Sequence, residues 1–474
     1  MVRTVTNAPP SRDELPDVLE QAKGAGNKVD MQRRSSRAVA YLARMDDGAC
    51  AEIVREGLVP TLQQWTGSKD PGVTRGALEA LGALALDDNG SKLVCNDDFM
   101  RQLQALAKAK DKSVCRAAMA TLSQMAAADE NQGPMAAAGM MEMCVSLAKT
   151  KDLGVARWSL QALSNLALNN DNAQKLVDQD LDAVCKMLFE IATKSDDTNV
   201  EKYALFCIAR LCTVLKFADK CATGNKFPVL FKAANDNIAS RKMPAALAIA
   251  NAADHKDMRI KLVKHKALQL FCEMARVTSG EKTRADMLEY QRIASLGLSK
   301  LCATYQIRDL AAKVGALEVV IDMMTSPLQD VRRSAAVATS ELTLHEDNAR
   351  KMCMAGVIKP LLDMARSGDR FQENDAIQAL SNLAISEENQ KQLLKEGGQH
   401  ALKYLELSTN PTVVKLSKKL QTRMRIAKLR AAARLAGRIA KGAKDKGLVD
   451  EDGNVHVPEE GSGRPKAKKK LSRR

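Results

Sequence analysis

Basic side chains recur along this chain at intervals of about 41 residues, and they are the residue types that bind anionic groups. In nine successive stretches the equivalent position is basic seven times, at Arg75, Arg116, Arg157, Lys202, Arg292, Arg333 and Lys415. Guanidinium and ammonium groups hold carboxylates and phosphates through charge-assisted hydrogen bonds. This basic column therefore predicts either a cationic surface for an acidic partner or a structural role, in which each side chain bonds to helix-end carbonyls of the neighbouring turn.

Catalytic motifs do not accompany the basic column. The five histidines are scattered and form no HExxH motif, and the sequence contains no GxGxxG or GxxxxGK[ST] loop for phosphates. Paired carboxylates such as Asp46 and Asp47 fall at predicted turns, where helix capping accounts for them. We predict that the protein is not an enzyme and has no metal site and no cofactor.

The basic column belongs to an internal repeat. The stretch GVARWSLQALSNLALN at 154–169 returns as FQENDAIQALSNLAIS at 371–386. Aligning the copies on the leucine of SNL gives ten positions spaced 41 to 49 residues apart, namely Leu42, Leu84, Met125, Leu166, Leu211, Ala252, Leu301, Leu342, Leu383 and Met424. A column of Ser or Ala lies seven residues before each. Two columns in fixed register predict a repeat array with one continuous core.

Each repeat is predicted to contain two short helices and a longer third one. The chain is rich in Ala, Leu and Met with only 3% aromatic residues, which favours helices over strands. Glycines at Gly139, Gly315, Gly356 and Gly397 mark the first corner, where a sharp turn needs a positive φ. Asp98 and Asp180 stand at this corner in two other repeats, and we expect them to adopt the left-handed conformation there.

Three helices per unit, the glycine corner and the ALSNLA helix together resemble armadillo repeats, as in importin-α, β-catenin and vacuolar armadillo proteins. The resemblance covers residues 29–424. It implies an all-α, right-handed α-solenoid of about nine repeats plus an N-terminal capping helix. It also implies that the third helices line a concave groove that binds extended peptides.

The resemblance indicates which side chains would line the groove. Importin-α has an asparagine just before the aligned leucine and a tryptophan four residues earlier. Here only Asn165, Asn251 and Asn382 keep the asparagine, and none has the tryptophan. The resemblance to β-catenin implies instead a positive stripe for acidic or phosphorylated segments, flanked by aromatic anchors. The candidate groove residues are Arg75, Arg116, Arg157, Trp158, Asn165, Lys202, Tyr203, Phe206, Asn251, Arg292, Arg333 and Asn382. We also expect Leu247, Ile293 and Leu296 to face the groove.

The net charge of +15 is concentrated near the C-terminus. Residues 413–474 contain nineteen Lys or Arg against six Asp or Glu, which leaves only +2 for the rest of the chain. We predict a flexible leader (1–28), the repeat superhelix (29–424), a basic amphipathic helix continuing the last repeat (425–444) and a disordered basic tail (445–474). The tail cluster consists of Lys466, Lys468, Lys469, Lys470, Arg473 and Arg474. It could contact nucleic acid or the cytoskeleton, or act as a nuclear-localisation signal.

Two repeats are longer than the others. The extra residues lie around 194–199 and 278–286, and we expect both to protrude from the turn before the third helix. The eleven cysteines include no CxxC pair and fall among Ala and Leu, which is typical of buried thiols in a reducing compartment. No apolar run is long enough to span a membrane, and the N-terminal residues lack the apolar segment of a secretory signal. We therefore expect a cytoplasmic location, with the nucleus as an additional one.

The sequence favours a monomeric, non-enzymatic scaffold or adaptor that binds an extended acidic segment in its groove. A second hypothesis is a nucleic-acid- or cytoskeleton-associated protein that acts through the basic tail. A third is an importin-α-like carrier of basic cargo.

Overall fold

The computed structural model describes residues 9–276, 284–367 and 369–445. These residues form 28 α-helices and one short 3-10 turn (Arg12–Glu14), and the described ranges contain no strand. The chain divides into two compact units, residues 1–348 and 349–474. The all-α fold class is therefore confirmed, and each unit is described by itself.

The first unit begins with α1 (Leu15–Lys23) and α2 (Val29–Met45), which are followed by seven helical repeats. Their bounds are α3 (Asp47–Arg55), α4 (Val59–Trp65), α5 (Pro71–Leu84), α6 (Asp88–Val94), α7 (Asp97–Leu106), α8 (Lys112–Met125), α9 (Asp129–Ala137), α10 (Met140–Leu147), α11 (Leu153–Leu166), α12 (Asn170–Lys194), α13 (Thr198–Leu211), α14 (Leu215–Thr223), α15 (Phe227–Ala234), α16 (Ala239–Ala252), α17 (Lys256–Lys264), α18 (Ala267–Ala275), α19 (Arg284–Cys302), α20 (Tyr305–Lys313), α21 (Ala316–Met323) and α22 (Gln329–Leu342). In the fourth repeat, α12 supplies the first two helices across a kink at Asp180.

The second unit contains two further repeats. Their helices are α23 (Glu346–Met354), which begins at the junction, α24 (Ile358–Ala365), α25 (Arg370–Leu383), α26 (Glu387–Lys395), α27 (Gly398–Leu405) and α28 (Pro411–Asp445). Over the described residues this makes nine three-helix repeats preceded by α2, the number that the periodicity predicts.

Packing in the first unit runs through the third helices. The sequence α2, α5, α8, α11, α13, α16, α19 and α22 packs in order, each helix against the next. The Ser/Ala column lies at these contacts and is at most 2% exposed from Ser35 to Ala335. A larger side chain would push neighbouring helices apart, so this column sets how closely the repeats stack.

The glycine corners are confirmed, but the left-handed conformation predicted for Asp98 and Asp180 is wrong. Gly139 and Gly315 have φ values of 79° and 75° in the first unit, and Gly356 and Gly397 have 85° and 80° in the second. Asp180 has an extended φ of −159°. Asp98 lies inside α7, because the Asn96 side chain caps that helix by accepting a hydrogen bond from the Phe99 amide.

In the described ranges, Asn225 and Lys266 are the non-glycine residues with positive φ, at 52° and 68°. Asn tolerates this region better than most residues, since its short polar side chain can bond locally.

Two asparagines in the first turns of α9 and α12, Asn131 and Asn172, have a larger role than helix initiation. Asn131 and Asn172 are buried. The Asn172 amide donates to the Leu166 carbonyl at the end of the preceding third helix, 3.0 Å away, and to the Gln132 carbonyl of the preceding repeat, 2.9 Å away. Asn131 donates likewise to the Met125 carbonyl (3.0 Å) and to Ser91 Oγ (2.8 Å). One side chain thus caps a helix and joins two repeats.

The insertion near residue 194 lengthens a helix instead of forming a protruding loop, so that prediction is wrong. After the kink at Asp180, α12 continues to Lys194, several residues longer than the equivalent α10 or α15. The added turn keeps its backbone groups hydrogen-bonded, with the Ser195 amide donating to the Ile191 carbonyl. It forms one wall of a cleft of about 680 Å³ that Leu153 and Lys194 help to line. The second insertion falls largely on residues 277–283, outside the described ranges.

Residues 9–28 contain α1, whose Leu15, Val18, Leu19 and Ala22 are buried in contact with α2. Residues 1–8 and 446–474 lie outside the described ranges, and with them the rest of the predicted leader and the basic tail cluster. The domain boundaries at 28, 424 and 444 stay predictions.

Replacing Asn172 with Ala should lower stability markedly, because it leaves two buried carbonyls without their donor. We expect a loss of about 2–3 kcal/mol in the free energy of unfolding. The matched control is Asn170→Ala, on the exposed first turn of the same helix. Urea denaturation followed by circular dichroism measures both. Equal midpoints for the two variants would show that the buried asparagine does not join the repeats.

Candidate binding surface

Two cation–aromatic groups lie on neighbouring third helices: Arg157 with Trp158 on α11, and Lys202 with Tyr203 and Phe206 on α13. We call these five residues the central patch. All are half-buried. The Arg157 guanidinium lies 4.4 Å from the centre of the Trp158 ring. Lys202 Nζ lies 5.4 Å from the Tyr203 ring and 6.0 Å from the Phe206 ring, and these two rings are 6.4 Å apart. The cations and rings are therefore arranged as cation–π pairs on one surface.

Other members of the basic column are engaged with carboxylates. Arg116 makes two hydrogen bonds of 2.9 Å to Asp152, which also caps α11 by accepting from the Val155 amide. Arg33 on α2, two repeats before Arg116, binds Asp70 in the same way at the start of α5, with one bond of 2.6 Å. These arginines therefore link a third helix to the cap of the next one. The structural role foreseen for the column is present, although the acceptor is a carboxylate and not a carbonyl.

Arg292 and Arg75 also face acidic groups. Arg292 pairs with Asp330 near the start of α22 and with Glu289, both at 2.6 Å. Arg75 lies 3.8 Å from Glu79 on its own helix. Within the described residues Arg157 and Lys202 form no salt bridge, so they differ from Arg116 and Arg292. The half-buried Arg157 and Lys202 therefore carry charges that an added ligand can reach.

Arg210 lies on α13 one turn after Phe206, and its Nε is buried. No group among the described residues hydrogen-bonds to this atom. Burial lowers the pKa of the Arg210 guanidinium, while Cys207 and Glu289 act in the opposite direction. An unbonded guanidinium nitrogen that has lost its water is costly, and an anion beside it would supply the missing acceptor.

The sequence placed Arg210 at the groove-lining position but did not single it out. The available signal was the combination of two residues: Arg210 stands where Asn165, Asn251 and Asn382 stand in other repeats, and the aromatic Phe206 lies one turn before it.

Two of the predicted asparagines form hydrogen bonds between successive repeats. The Asn165 amide donates to the Ser123 carbonyl at 3.0 Å, and the Asn251 amide donates to the Ala209 carbonyl at 2.8 Å. Each bond joins a third helix to the one before it. Asn165 remains half-buried, but Asn251 is buried, so it offers little surface to a ligand.

The remaining predicted residues are dispersed. Arg333 is half-buried on α22, at the far end of the first unit from the central patch. Leu247 and Leu296 are half-buried. Ile293 lies on the core-facing side of α19 and is buried, so its expected exposure is wrong. Asn382 lies in the second unit, where it is buried and accepts a hydrogen bond from Gln378 Nε2 at 3.2 Å.

Comparison with known proteins identifies the fold. No protein-family profile and no curated protein matches the chain. An engineered protein from the Northeast Structural Genomics Consortium is 23% identical, covers 86% of this chain and 98% of its own, and superposes with a TM-score of 0.68. This likeness agrees with the three-helix repeats, glycine corners and stacked third helices. The fold is an armadillo-like α-solenoid.

Two designed armadillo repeat proteins also match over about half of this chain, at 20% and 19% identity. They cover 51% of it and 99% of their own length, with TM-scores of 0.46 and 0.45, and the second is in complex with the peptide (KR)4.

The armadillo-like fold holds its potentially reactive groups in structural positions. His265 stacks on Phe231 with ring centres 5.6 Å apart, and His255 Nε2 lies 3.1 Å from the Cys212 carbonyl. All eleven cysteines are free, and all except Cys95 are buried. Burial raises the pKa of the Cys144 and Cys302 thiols to about 12. Such thiols are not nucleophiles at neutral pH.

Among the described residues, no group of three His, Cys, Asp or Glu side chains is placed to hold a metal ion. No helix in the same ranges is long and apolar enough to cross a membrane.

The Arg33–Asp70 pair predicts a specific acid sensitivity. The hydrogen bond from Arg33, with support from the Val73 amide, lowers the pKa of Asp70 to about 2. An unfolded aspartate has a pKa of about 3.9. The pair therefore stabilises the fold above pH 4 and loses this contribution as the pH falls from about 4 to about 2.

Arg33→Gln should raise the Asp70 pKa towards its ordinary value and remove that part of the acid sensitivity. NMR titration of the Asp70 carboxyl and urea midpoints at pH 7 and below pH 4 measure both effects. An unchanged Asp70 pKa in the variant would contradict the assignment. Arg37→Gln, an exposed arginine on the same helix, is the control.

Proposed function

We propose that this protein is a non-enzymatic scaffold that binds an extended acidic segment of a protein partner across the central patch and Arg210. Armadillo-like solenoids present side chains from successive repeats at regular intervals. Because alternate side chains of an extended chain point the same way, such a peptide can place several of them on this surface. We expect the scaffold to act as a monomer in a reducing compartment, the cytoplasm, with entry into the nucleus as a further expectation.

The buried Nε of Arg210 is the observation that carries the proposal. A carboxylate or phosphate bound there would accept the hydrogen bond that the described residues do not supply. Charge-assisted bonds of this kind are about twice as strong as neutral ones. Arg157 and Lys202, on the same two helices, would place further positive charge near the same ligand.

The aromatic rings supply the second half of the surface. Trp158, Tyr203 and Phe206 are half-buried and already oriented by their cations. Rigid aromatic side chains next to arginines are the composition found at binding hot spots. The preferred segment therefore alternates acidic and apolar residues.

A basic peptide segment is the alternative to an acidic one. The designed armadillo repeat protein mentioned above binds (KR)4. In the present chain Arg157, Lys202 and Arg210 would repel such a peptide, so we favour the acidic class over an importin-like carrier role. A phosphorylated segment belongs to the same acidic class.

The tail hypothesis concerns residues outside the described ranges. Nucleic-acid or cytoskeletal binding through Lys466–Arg474 remains a prediction from sequence. Removing residues 446–474 separates the two functions, because the groove proposal requires that acidic-peptide binding survive the deletion.

Arg210→Met should weaken binding of a labelled peptide of about eight alternating Glu and Leu residues by about tenfold. It should leave the urea midpoint unchanged or raise it, because it removes a buried group that lacks a hydrogen bond. Fluorescence anisotropy measures the affinity, and a matching Lys–Leu peptide should bind more weakly to the parent protein. A variant that loses stability and keeps its affinity would assign Arg210 a purely structural role.

Arg157→Gln and Arg116→Gln form a matched pair in the same column. Arg157→Gln should weaken peptide binding severalfold and leave stability unchanged. Arg116→Gln should lower stability by breaking the Asp152 contacts and leave affinity within about twofold. Equal losses of affinity in both variants would indicate that only the total charge matters, which would overturn the assignment of the patch.

A further inference from the structure

Helix α28 changes its environment abruptly after Met424. Up to that residue it is an ordinary third helix, with Val413, Leu420 and Met424 buried and the Ser417 hydroxyl donating to the Leu402 carbonyl at 2.7 Å. Beyond it the large apolar side chains are exposed, by 45% at Ile426, 70% at Leu429, 60% at Leu435 and 64% at Ile439. In the described ranges this is an unusual concentration of exposed apolar side chains on a single helix.

The same stretch is strongly basic. Between Pro411 and Lys444 the sequence contains eleven Lys or Arg and no Asp or Glu. Arg430, Arg434, Arg438 and Lys441 follow one another at helical spacing and form one stripe of the helix. Leu429, Ala432, Ala436 and Ile439 form another stripe, on the opposite side. The projecting part of α28 is therefore an amphipathic helix of purely positive charge.

Contacts within the second unit set how this helix is turned. Arg434 makes two hydrogen bonds to Glu387 of α26, at 2.8 and 3.3 Å, and Arg430 lies 3.8 Å from the same carboxylate. Lys428 donates to Gln399 on α27 at 3.1 Å. The basic stripe thus faces α26, and the exposed stripe of Leu429 and Ile439 lies on the other side of the helix. The helix is held by its polar side, and its apolar side is presented outwards.

We propose that residues 425–441 of α28 dock on the surface of an anionic lipid bilayer. A basic amphipathic helix binds there by inserting its apolar side chains at the headgroup boundary while its cations attract acidic lipids. Arg425 is exposed and lies one turn before Leu429 on the same side of the helix, so it can reach the headgroups. A nucleic acid would use the charge but would leave Leu429 and Ile439 in water, so the exposed apolar stripe favours the membrane.

The test is co-sedimentation of the full chain with vesicles of phosphatidylcholine containing about 30% phosphatidylserine. The parent protein should bind these vesicles and not pure phosphatidylcholine vesicles. The double variant Leu429→Gln with Ile439→Gln should lose at least about tenfold in affinity, since neither side chain can then insert into the apolar part of the bilayer. Arg425→Gln should lose severalfold in affinity, and raising the salt concentration should likewise weaken vesicle binding by the parent protein.

The matched control is Met354→Gln with Leu407→Gln, which changes two equally exposed apolar residues of the second unit outside this helix. It should bind vesicles like the parent protein. Circular dichroism shows whether each variant keeps its helix. The proposal is overturned if the parent does not bind anionic vesicles, or if the Leu429/Ile439 variant binds them as well as the parent. In the latter case, a polymeric RNA that competes equally for parent and variant would identify a polyanion site.

Discussion

The aspartate carboxylate at the start of a third helix is the contact on which the arrangement of side chains along the repeats depends. Asp70 and Asp152 each accept a hydrogen bond from a backbone amide two or three residues on, which begins the helix. Each also accepts from an arginine of the preceding repeat, Arg33 or Arg116. Helix initiation and repeat-to-repeat attachment thus share one carboxylate. For this reason an arginine recurs with the period of the fold without being a ligand-binding residue.

The exceptions to this rule lie at the proposed binding surface. Asp197 caps α13 as Asp152 caps α11, but Arg157 lies over Trp158 and forms no salt bridge among the described residues. The residue after the basic position is aromatic at Trp158 and Tyr203, whereas it is Gly76 and Ala117 in the two preceding repeats. An adjacent ring offers the cation an alternative partner. One aromatic residue per repeat therefore distinguishes these two cations from the arginines that bind a helix-capping aspartate.

Periodic features of the sequence were sufficient to predict the fold, because they depend on contacts that repeat. The Ser/Ala column recurs in every copy and the glycine corner in about half of them, and the structure confirms both. Features that occur once were less predictable. The insertion at residue 194 extends α12, since continuing a helix satisfies its backbone more easily than a loop does. The corner near Asp98 is formed by the side chain of Asn96, two residues away. Arg116 binds Asp152, which is 36 residues away, whereas Arg157 lies over the adjacent Trp158. Because both residues are arginines, residue type alone does not distinguish these two arrangements.

Arg210 shows how a position that ties repeats together can become a position that binds. Asn165 and Asn251 donate to a carbonyl of the preceding third helix at this point of the repeat. Arginine itself can do the same, because Arg423 in the second unit donates to the Ser381 carbonyl at 3.1 Å. The Nε of Arg210 has no such acceptor within the described residues, so its lack of a bond comes from its surroundings and not from its length. Phe206 stands one turn before it on the same helix. A buried guanidinium nitrogen without an acceptor lowers stability, because it has lost its hydration without gaining a bond. The unbonded guanidinium and the neighbouring ring therefore distinguish this position from the equivalent ones that join repeats, and they are the features on which the proposed binding surface rests.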